Sequence, residues 1–278
     1  FLSLVIKKSA HALRFFRNNQ GTFAIFNGSK QESKFVIDKI LNLADGKARA
    51  RGPSSLTISG FEKLSSPGIT IFVDTSKYSN NIVTKVAHPL EINLGKKRLL
   101  GSCGSTFEKG VEWKNSLLSS SAHSSLTLEN SDPILNSEVC DISKSKRFKK
   151  NGSEVLQLIH YGYQKHFSAI CSRTIELGSS GRSIAVLDQV YTKKLLNFTI
   201  RFHFNPNIKI SLSLDKKKSI IILNGQGWIF SYDGNAELSL QQSIFVNDLG
   251  KVVNANQLVI NGETVNENTE ILWGLSRE

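Results

Sequence analysis

Apolar and polar positions alternate along most of the second half of the chain. From residue 154 onward, short alternating segments are separated by turn-forming residues at intervals of about 8 to 12 residues, which is typical of antiparallel strands joined by hairpins. In residues 196–204 the odd and even positions fall on opposite faces of an extended strand. The apolar face carries Leu196, Phe198, Ile200, Phe202 and Phe204, and the polar face carries Asn197, Thr199, Arg201 and His203.

The same alternation predicts further strands in both halves of the chain. They lie at residues 209–214, 219–223, 228–232, 237–246, 257–260 and 271–275, and at residues 22–26, 69–74, 83–94, 98–102 and 124–128. Helical spacing at residues 35–43, and again at 112–118, predicts two short helices. Strands with one polar and one apolar face favour stacked antiparallel sheets over a doubly wound parallel sheet. The predicted fold class is therefore all-β, an antiparallel β-sandwich occupying residues 1–278 as one domain.

The charge balance indicates a polyanionic partner. Lys and Arg number 35 against 23 Asp and Glu, a net charge of +12. Acidic polysaccharide and nucleic acid both suit such a surface, although a compositional drift towards Lys, Asn, Ser and Ile would produce the same excess. The basic run at residues 144–150 contains a single aromatic residue, Phe148, and is interpreted as a solvated loop. Nucleic-acid recognition is therefore disfavoured, because it normally interleaves stacking aromatics with cations.

Cellular context is weakly constrained. Residues 1–6 form an apolar run that precedes Lys7 and Lys8, the reverse of the charge order in a secretory signal, so no signal peptide is predicted. No apolar stretch is long enough for a membrane span. Cys103, Cys140 and Cys171 have no CxxC spacing and are interpreted as buried free thiols. The chain begins with Phe and contains no Met, so we expect further sequence upstream.

Common catalytic motifs are missing from the sequence. It has no phosphate-binding GxxxxGK[ST] loop, no GxGxxG after a strand and no GxSxG elbow. None of the six histidines is spaced from another as metal ligands usually are. His160, His166 and His203 are therefore interpreted as structural residues of the sheets.

Several segments, taken in order, resemble the C-terminal β-sheet domain of heparinase II/III-like polysaccharide lyases. The most informative is Ser121-Ala122-His123-Ser124-Ser125, which is similar to the family's AH[NS][ST] segment. Residues 13–17, 23–28, 59–64 and 70–74 resemble the family's first strands. Residues 160–163, 200–204, 225–228 and 271–275 fall where the family has similar patterns.

The resemblance implies a lyase that acts on acidic, uronate-containing glycans by β-elimination. His123, at the AH[NS] position, and His88, near the family's histidine-rich strand, are the implied catalytic residues. The family's preceding helical toroid is absent from this chain, and the resemblance implies such a domain upstream as a partner. It further implies a periplasmic or cell-envelope location and, as in some relatives, zinc bound by sheet residues. The alternative is a non-catalytic glycan-binding module built on the same sandwich.

Two positions depart from the family pattern. Val86-Ala87-His88 stands where the family usually has HxD, and Leu118 stands where it commonly has Arg. On this interpretation His123 is expected to be exposed on the rim of the sandwich.

Overall fold

Two antiparallel sheets form the body of the protein, as a computed structural model shows. The structure describes residues 1–47, 50–76, 85–106, 110–133, 143–223, 225–265 and 267–277. The helices are α1 (Leu2–Phe16), α2 (Lys34–Asp45), α3 (Val111–Leu118) and α4 (Gln164–Phe167), with a 3-10 turn at Ser120–Ala122. No helix within the described residues is both long and apolar enough to cross a membrane.

The first eight strands are β1 (Ser55–Leu56), β2 (Phe61–Ser66), β3 (Ile69–Asp74), β4 (Leu90–Leu94), β5 (Lys97–Gly101), β6 (Leu126–Leu128), β7 (Ser143–Lys150) and β8 (Ser153–His160). The others are β9 (Ile170–Leu177), β10 (Ser183–Thr192), β11 (Asn197–Phe204), β12 (Lys209–Leu212), β13 (Lys218–Leu223), β14 (Gln226–Asp233), β15 (Glu237–Val246), β16 (Val252–Glu263) and β17 (Glu267–Arg277).

The larger sheet has nine strands in the order β1-β2-β3-β4-β5-β11-β16-β15, with β6 also paired to β11. The smaller sheet has eight strands in the order β12-β13-β14-β17-β10-β9-β8-β7. Every pairing between these strands is antiparallel. The predicted antiparallel stacked-sheet fold is confirmed.

The alternation in β11 explains how the sheets hold together. Its apolar residues face the smaller sheet, where Phe202 lies 4.9 Å from the ring of Phe230 and 4.6 Å from that of Trp273, centroid to centroid. Edge-to-face packing of this kind stabilises beyond the area it buries. Phe202, Phe230 and Trp273 are all almost completely buried within one large apolar cluster. The polar positions of β11 consequently lie on the outer face of the larger sheet.

Both predicted helices are present. In α2 the Ser33 hydroxyl accepts a hydrogen bond from the Val36 amide, and Gly46 ends the helix with φ 69°. Glycine suits this C-terminal position because it has no Cβ to oppose a positive φ. The helix predicted at residues 112–118 is α3.

The strand predicted at residues 22–26 is wrong. Phe23 makes only an isolated bridge with Arg17, while the Ile25 amide donates to a carboxylate oxygen of Glu91 at 3.0 Å. The segment therefore crosses the outer face of the larger sheet as an irregular cover, with its backbone bonded to a side chain rather than to a neighbouring strand.

The interpretation of residues 144–150 as a loop is also wrong, because they form β7, the edge strand of the smaller sheet. Lysine is common on such edges, where it opposes association with other strands. Of the strand predicted at 83–94, only Leu90–Leu94 forms a strand, and residues 83 and 84 lie outside the described part.

An ion pair is buried inside the sandwich. Arg173 of β9 contacts Asp188 of β10 through Nε at 2.6 Å and Nη2 at 2.9 Å. The indole N–H of Trp273 donates to the same carboxylate at 2.8 Å, so both oxygens are satisfied. Arg173 also donates from Nη1 to the His88 carbonyl at 3.1 Å. Through this bond the smaller sheet holds the segment that leads into β4.

Replacing Asp188 with Asn should strongly destabilise the protein. The substitution leaves the Arg173 guanidinium buried without its counter-ion, which typically costs about 3–5 kcal/mol. The free energy of unfolding, measured by denaturant titration, should fall by that order.

Lys193→Gln is the matched control, because Lys193 and Glu267 form an ion pair on the same sheet with side chains 85% and 76% exposed. Such an exposed pair contributes little, so this variant should unfold as the parent does. Equal effects of the two substitutions would contradict a structural role for the buried pair.

Candidate functional site

The outer face of the larger sheet is polar where β11 and β16 meet. Thr199 is paired with Asn261, and Arg201 with Val259, across these strands. An open cavity of about 780 Å³ lies over this region and is lined mainly by Asn, Gln, Thr and Glu side chains around Arg201. Its size and its dense hydrogen-bonding groups suit a polar ligand such as a sugar chain.

Arg201 is the cation of this cavity. Its Nη1 donates to the Thr127 hydroxyl at 3.0 Å and its Nη2 to the Asn130 side-chain oxygen at 3.3 Å. Neither partner is charged, and no carboxylate pairs with Arg201 in the described part of the chain. Burial lowers the pKa of its guanidinium, which nevertheless stays charged. The arginine therefore retains its charge for a bound anion.

His203, two residues further along β11, is buried beside the cavity. Its Nε2 donates to the Ser121 carbonyl at 2.9 Å, which leaves Nδ1 to accept from the Ser243 hydroxyl at 2.8 Å. The Cys103 sulfur also lies 3.4 Å from Nδ1. Burial and, next, the neighbouring His123 lower the pKa of His203 to about 3. The ring is thus neutral with a defined tautomer.

His123 has one bonded and one unbonded nitrogen. Its Nδ1 lies 2.7 Å from the Ser102 hydroxyl, whereas Nε2 has no partner in hydrogen-bonding geometry among the described residues. Burial lowers the pKa of His123 to about 4, an effect that the Leu117 carbonyl and then the Asp132 carboxylate partly offset. The side chain is only 2% exposed, so the expectation that it lies open on the rim is wrong. The apolar cluster of α3 and the 3-10 turn, which includes Leu117 and Ala122, covers this region.

A series of polar contacts connects His123 to the buried Glu91. The fully buried Glu91 carboxylate lies 3.0 Å from Arg98 Nε, and Arg98 Nη2 donates to the Ser102 carbonyl at 2.9 Å. Ser102 in turn bonds to His123. The alternation of strands β4 and β5 offers a signal for Glu91 and Arg98, since both are charged residues within apolar strands, but sequence reasoning did not identify them. It placed Arg201 on the polar face without assigning it a role.

His88 belongs to a separate group. Its Nε2 lies 2.7 Å from the Ser143 hydroxyl, and its ring packs edge-on against His160 with centroids 5.2 Å apart. Burial, followed by the charges of His160 and Arg173, lowers the pKa of His88 well below its ordinary value. The backbone of His88 adopts φ 47°, which is uncommon for a residue with a side chain. The Ser125 hydroxyl donates to the Ala87 carbonyl and so ties this segment to the one carrying His123.

His203 thus bonds to the segment that carries His123, through the Ser121 carbonyl and the Ser124 hydroxyl, whereas the His88 ring packs against that of His160, and no direct contact joins His88 to His123. His160 and His203 lie in strands, as predicted, whereas His166 lies in α4. His160 is buried, its Nδ1 has no partner among the described residues, and burial lowers its pKa to about 3. Zinc does not fit the described residues, because nowhere among them do three His, Cys, Asp or Glu side chains gather in a group that could hold a metal ion.

The fold and this face define an antiparallel two-sheet domain with buried histidines beside an open polar cavity. A family model described as heparinase II/III-like, C-terminal, matches residues 48–274. The chain therefore belongs to the heparinase II/III-like family of polysaccharide lyases and comprises its C-terminal domain, which confirms the resemblance found in the sequence.

Solved structures of that family have the same fold. The chain is similar to a heparinase III, the BT4657 gene product, with TM-score 0.79 and 16% identity over 95% of this chain and 44% of that one. A second heparinase III matches with TM-score 0.79 and 12% identity over 98% and 48% of the two chains. The heparan sulfate lyase HepC of Pedobacter heparinus matches with TM-score 0.76 and 15% identity over 96% and 46%. The chain spans a little under half the length of these proteins. No curated protein sequence matches it.

The buried histidines should make the protein less stable as the pH falls. Burial lowers the pKa of His88 well below its ordinary value and lowers those of His123, His160 and His203 to about 4, 3 and 3, so between pH 6.5 and 4 the unfolded chain binds protons that the folded chain does not. For each such histidine, the free energy of unfolding falls by at most about 1.4 kcal/mol for every unit by which the pH is lowered. Asp74 acts in the opposite direction. Burial raises its pKa to about 6, so the folded chain binds this proton more readily than the unfolded chain, but this single group opposes four histidines.

His160→Phe should reduce this pH dependence, since it removes one of the four groups while keeping a ring of similar shape. Unfolding free energies measured at several values between pH 4 and 7 test this, with the exposed His166→Phe as control. A steeper slope in His160→Phe than in the parent would contradict the assignment.

Proposed function

We propose that this chain is the sheet domain of a lyase that cleaves uronate-containing glycans by β-elimination. Its membership of the heparinase II/III-like family supports the reaction class, and its similarity in fold to a heparinase III and a heparan sulfate lyase supports an acidic glycan as substrate. The observation that carries the proposal is the polar row of β11, in which Arg201 forms no ion pair among the described residues and lies near the buried His203, which bonds to the segment that carries His123. Glu237 and Glu263 line the same cavity without pairing with Arg201.

The reaction explains why these groups are needed. β-Elimination removes the weakly acidic proton next to the uronate carboxylate and expels the glycosidic oxygen at the adjacent carbon. Neutralising the carboxylate makes the proton more acidic, while a base must accept that proton and an acid must supply one to the leaving oxygen. Arg201, which forms no ion pair among the described residues, suits the first role, because a guanidinium binds a carboxylate through two parallel hydrogen bonds.

His123 is the proposed proton-transfer residue. It is neutral at physiological pH, Ser102 fixes its ring through Nδ1, and Nε2 has no partner in hydrogen-bonding geometry among the described residues, although the Leu117 carbonyl acts on the ring. A buried nitrogen without a hydrogen bond lowers the stability of the fold, and such atoms often occur where a group must contact a substrate. Contact with a glycan requires the covering segment near Leu117 and Ala122 to open.

His88 has a different proposed role. Its Nε2 is already bonded to Ser143, and Arg173 holds its carbonyl. It therefore acts as a positioning residue, by fixing the backbone that Ser125 bonds next to His123.

The remainder of the substrate cleft is proposed to come from a helical domain upstream. The first helices bear many apolar side chains that are exposed in this chain, as a docking face would be. They are Leu2, Leu4, Val5 and Ile6 of α1 and Phe35, Val36, Ile40 and Leu43 of α2. A periplasmic or cell-envelope location stays a prediction of the family resemblance.

One observation favours the alternative of a glycan-binding module without turnover. His88, His123, His160 and His203 are all buried, at 2–6% exposure, whereas the cavity around Arg201 is open. A glycan could therefore bind at Arg201 without meeting a histidine.

Incubating the complete gene product with a panel of acidic glycans should produce unsaturated uronate ends, which are followed by their ultraviolet absorbance. His123→Ala should lower kcat by roughly a hundredfold or more, as expected for loss of a proton-transfer group. Arg201→Gln should weaken glycan binding as well as turnover, because the carboxylate loses its cation.

His166→Ala is the matched control, since His166 is an exposed histidine of α4 and should leave kcat unchanged. Folding of each variant is verified by its thermal transition. Glycan binding without cleavage by the parent would favour the binding module, and cleavage that is unaffected in folded His123→Ala would refute the role of this histidine.

A further inference from the structure

A second cavity lies at the opposite end of the larger sheet and shares no lining residue with the one around Arg201. Its volume is about 430 Å³, and it is bounded by the end of α1, the start of α2, the loop at residues 50–54 and the outer face of β2 and β3. Among the described residues, five cations line it and no acidic residue does so. They are Arg14, Arg17, Lys34, Arg51 and Lys63.

Only part of this charge is compensated. Arg14 pairs with Asp45, while Arg17 and Lys34 share Asp38. Both carboxylates belong to α2 and lie outside the cavity lining. In the part of the chain that the structure describes, Arg51 and Lys63 pair with no carboxylate, so three of the five positive charges exceed the carboxylates available to them.

Lys63 lies close to two aromatic rings, and its ammonium is only partly hydrogen-bonded. Its ammonium lies 5.0 Å from the centre of the Phe15 ring and 5.7 Å from that of Phe72, and it donates one hydrogen bond, to the Phe15 carbonyl at 3.1 Å. Burial, and then the positive charge of Arg51, lower its pKa to about 8. An ammonium has three donors, so two are left for a ligand.

Two glycines allow close contacts in the walls of the cavity, one with backbone and one with a side chain. A Cβ on Gly52 would lie 2.3 Å from the Arg14 carbonyl oxygen, so only glycine lets the loop that carries Arg51 reach the end of α1. Gly21, with φ +85°, lies against the Lys34 side chain, where a Cβ would come within 2.8 Å of Cγ. The fold thus brings cations from α1, α2, the loop and β2 to one cavity, where Arg14 is buried, Arg17 and Lys63 are partly buried, and Lys34 and Arg51 are exposed.

We propose that this cavity binds a sulfate or phosphate group carried by a sugar-sized ligand. The donors approach from several directions, with Arg51 on the loop, Lys63 on the sheet and the hydroxyls of Ser65 and Thr70 on its floor. This arrangement suits a tetrahedral oxyanion better than a planar carboxylate, which a single arginine fork satisfies. The cavity volume falls within the range of small-molecule sites and exceeds the need of a lone ion. The site does not depend on the lyase chemistry.

Calorimetric titrations at constant ionic strength test the proposal with six ligands. They are inorganic sulfate, inorganic phosphate, N-acetylglucosamine, its 6-sulfate, its 6-phosphate, and glucuronate. The protein should bind a sulfated or phosphorylated sugar saturably and more tightly than the corresponding free ion, and glucuronate and the unmodified sugar should bind at least tenfold more weakly. Whether the sulfate or the phosphate series binds tighter identifies the group.

Arg51→Glu should weaken this binding by roughly tenfold or more, because a charge-assisted hydrogen bond is replaced by repulsion. Arg51 is exposed, so this variant should fold. Lys63→Met, which keeps the apolar contacts with Phe15 and Phe72 but removes the charge, should weaken it similarly. The double variant Lys209→Gln/Lys218→Gln removes two exposed charges from the smaller sheet and should bind as the parent does.

Three results would overturn the proposal. They are no saturable binding of any sulfate or phosphate compound by the parent, equal binding of glucuronate, and unchanged binding in folded Arg51→Glu. Should Lys63→Met fail to fold, the Arg51→Glu titration decides the matter alone.

Discussion

The buried Glu91–Arg98 ion pair connects the N-terminal cover, the larger sheet and the candidate site. Glu91 accepts from the Ile25 amide and from Arg98, and Arg98 continues through Ser102 to His123. A buried charge is tolerated only when it is paired and hydrogen-bonded, so each of these partners must stay in place for the others to be buried. The position of His123 therefore depends on a segment almost a hundred residues earlier in the chain.

The two faces of the larger sheet are used for different purposes. The inner face is an apolar core continuous with the smaller sheet, interrupted by the fully bonded Arg173–Asp188 pair on the opposite side. The outer face is polar around β11 and β16, whereas on β2 and β3 Phe61 and Phe72 form an apolar cluster with the covering N-terminal segment. Buried polar groups on this face must find partners in the covering helices and turns. Among the described residues, few buried side-chain atoms lack a hydrogen-bond partner, and His123 Nε2 is one of them. The candidate site therefore lies on the outer face of the larger sheet, whereas the apolar core that stabilises the fold lies between the two sheets.

The excess of positive charge is also distributed unevenly. It is concentrated in the cavity of Arg51 and Lys63, whereas Arg201 forms no ion pair but shares its cavity with Glu237 and Glu263, and the buried histidines are neutral. A glycan carrying both carboxylate and sulfate or phosphate groups offers a partner for each. Desolvation strengthens such contacts, because partly buried cations are less screened by salt than exposed ones.

Alternation of residue types determined most of the strands of the second half, their antiparallel pairing and the side of β11 on which Arg201 and His203 lie, because a period of two fixes which face a side chain occupies. The ordered short motifs determined the family. Periodicity says nothing, however, about what covers a face. Only the tertiary structure decided that His123 is buried, that residues 22–26 form a cover and that His88 and His123 lie in separate groups. It likewise brought Arg51 beside Lys63, because those contacts join segments whose separation along the chain is set by packing and not by any local pattern.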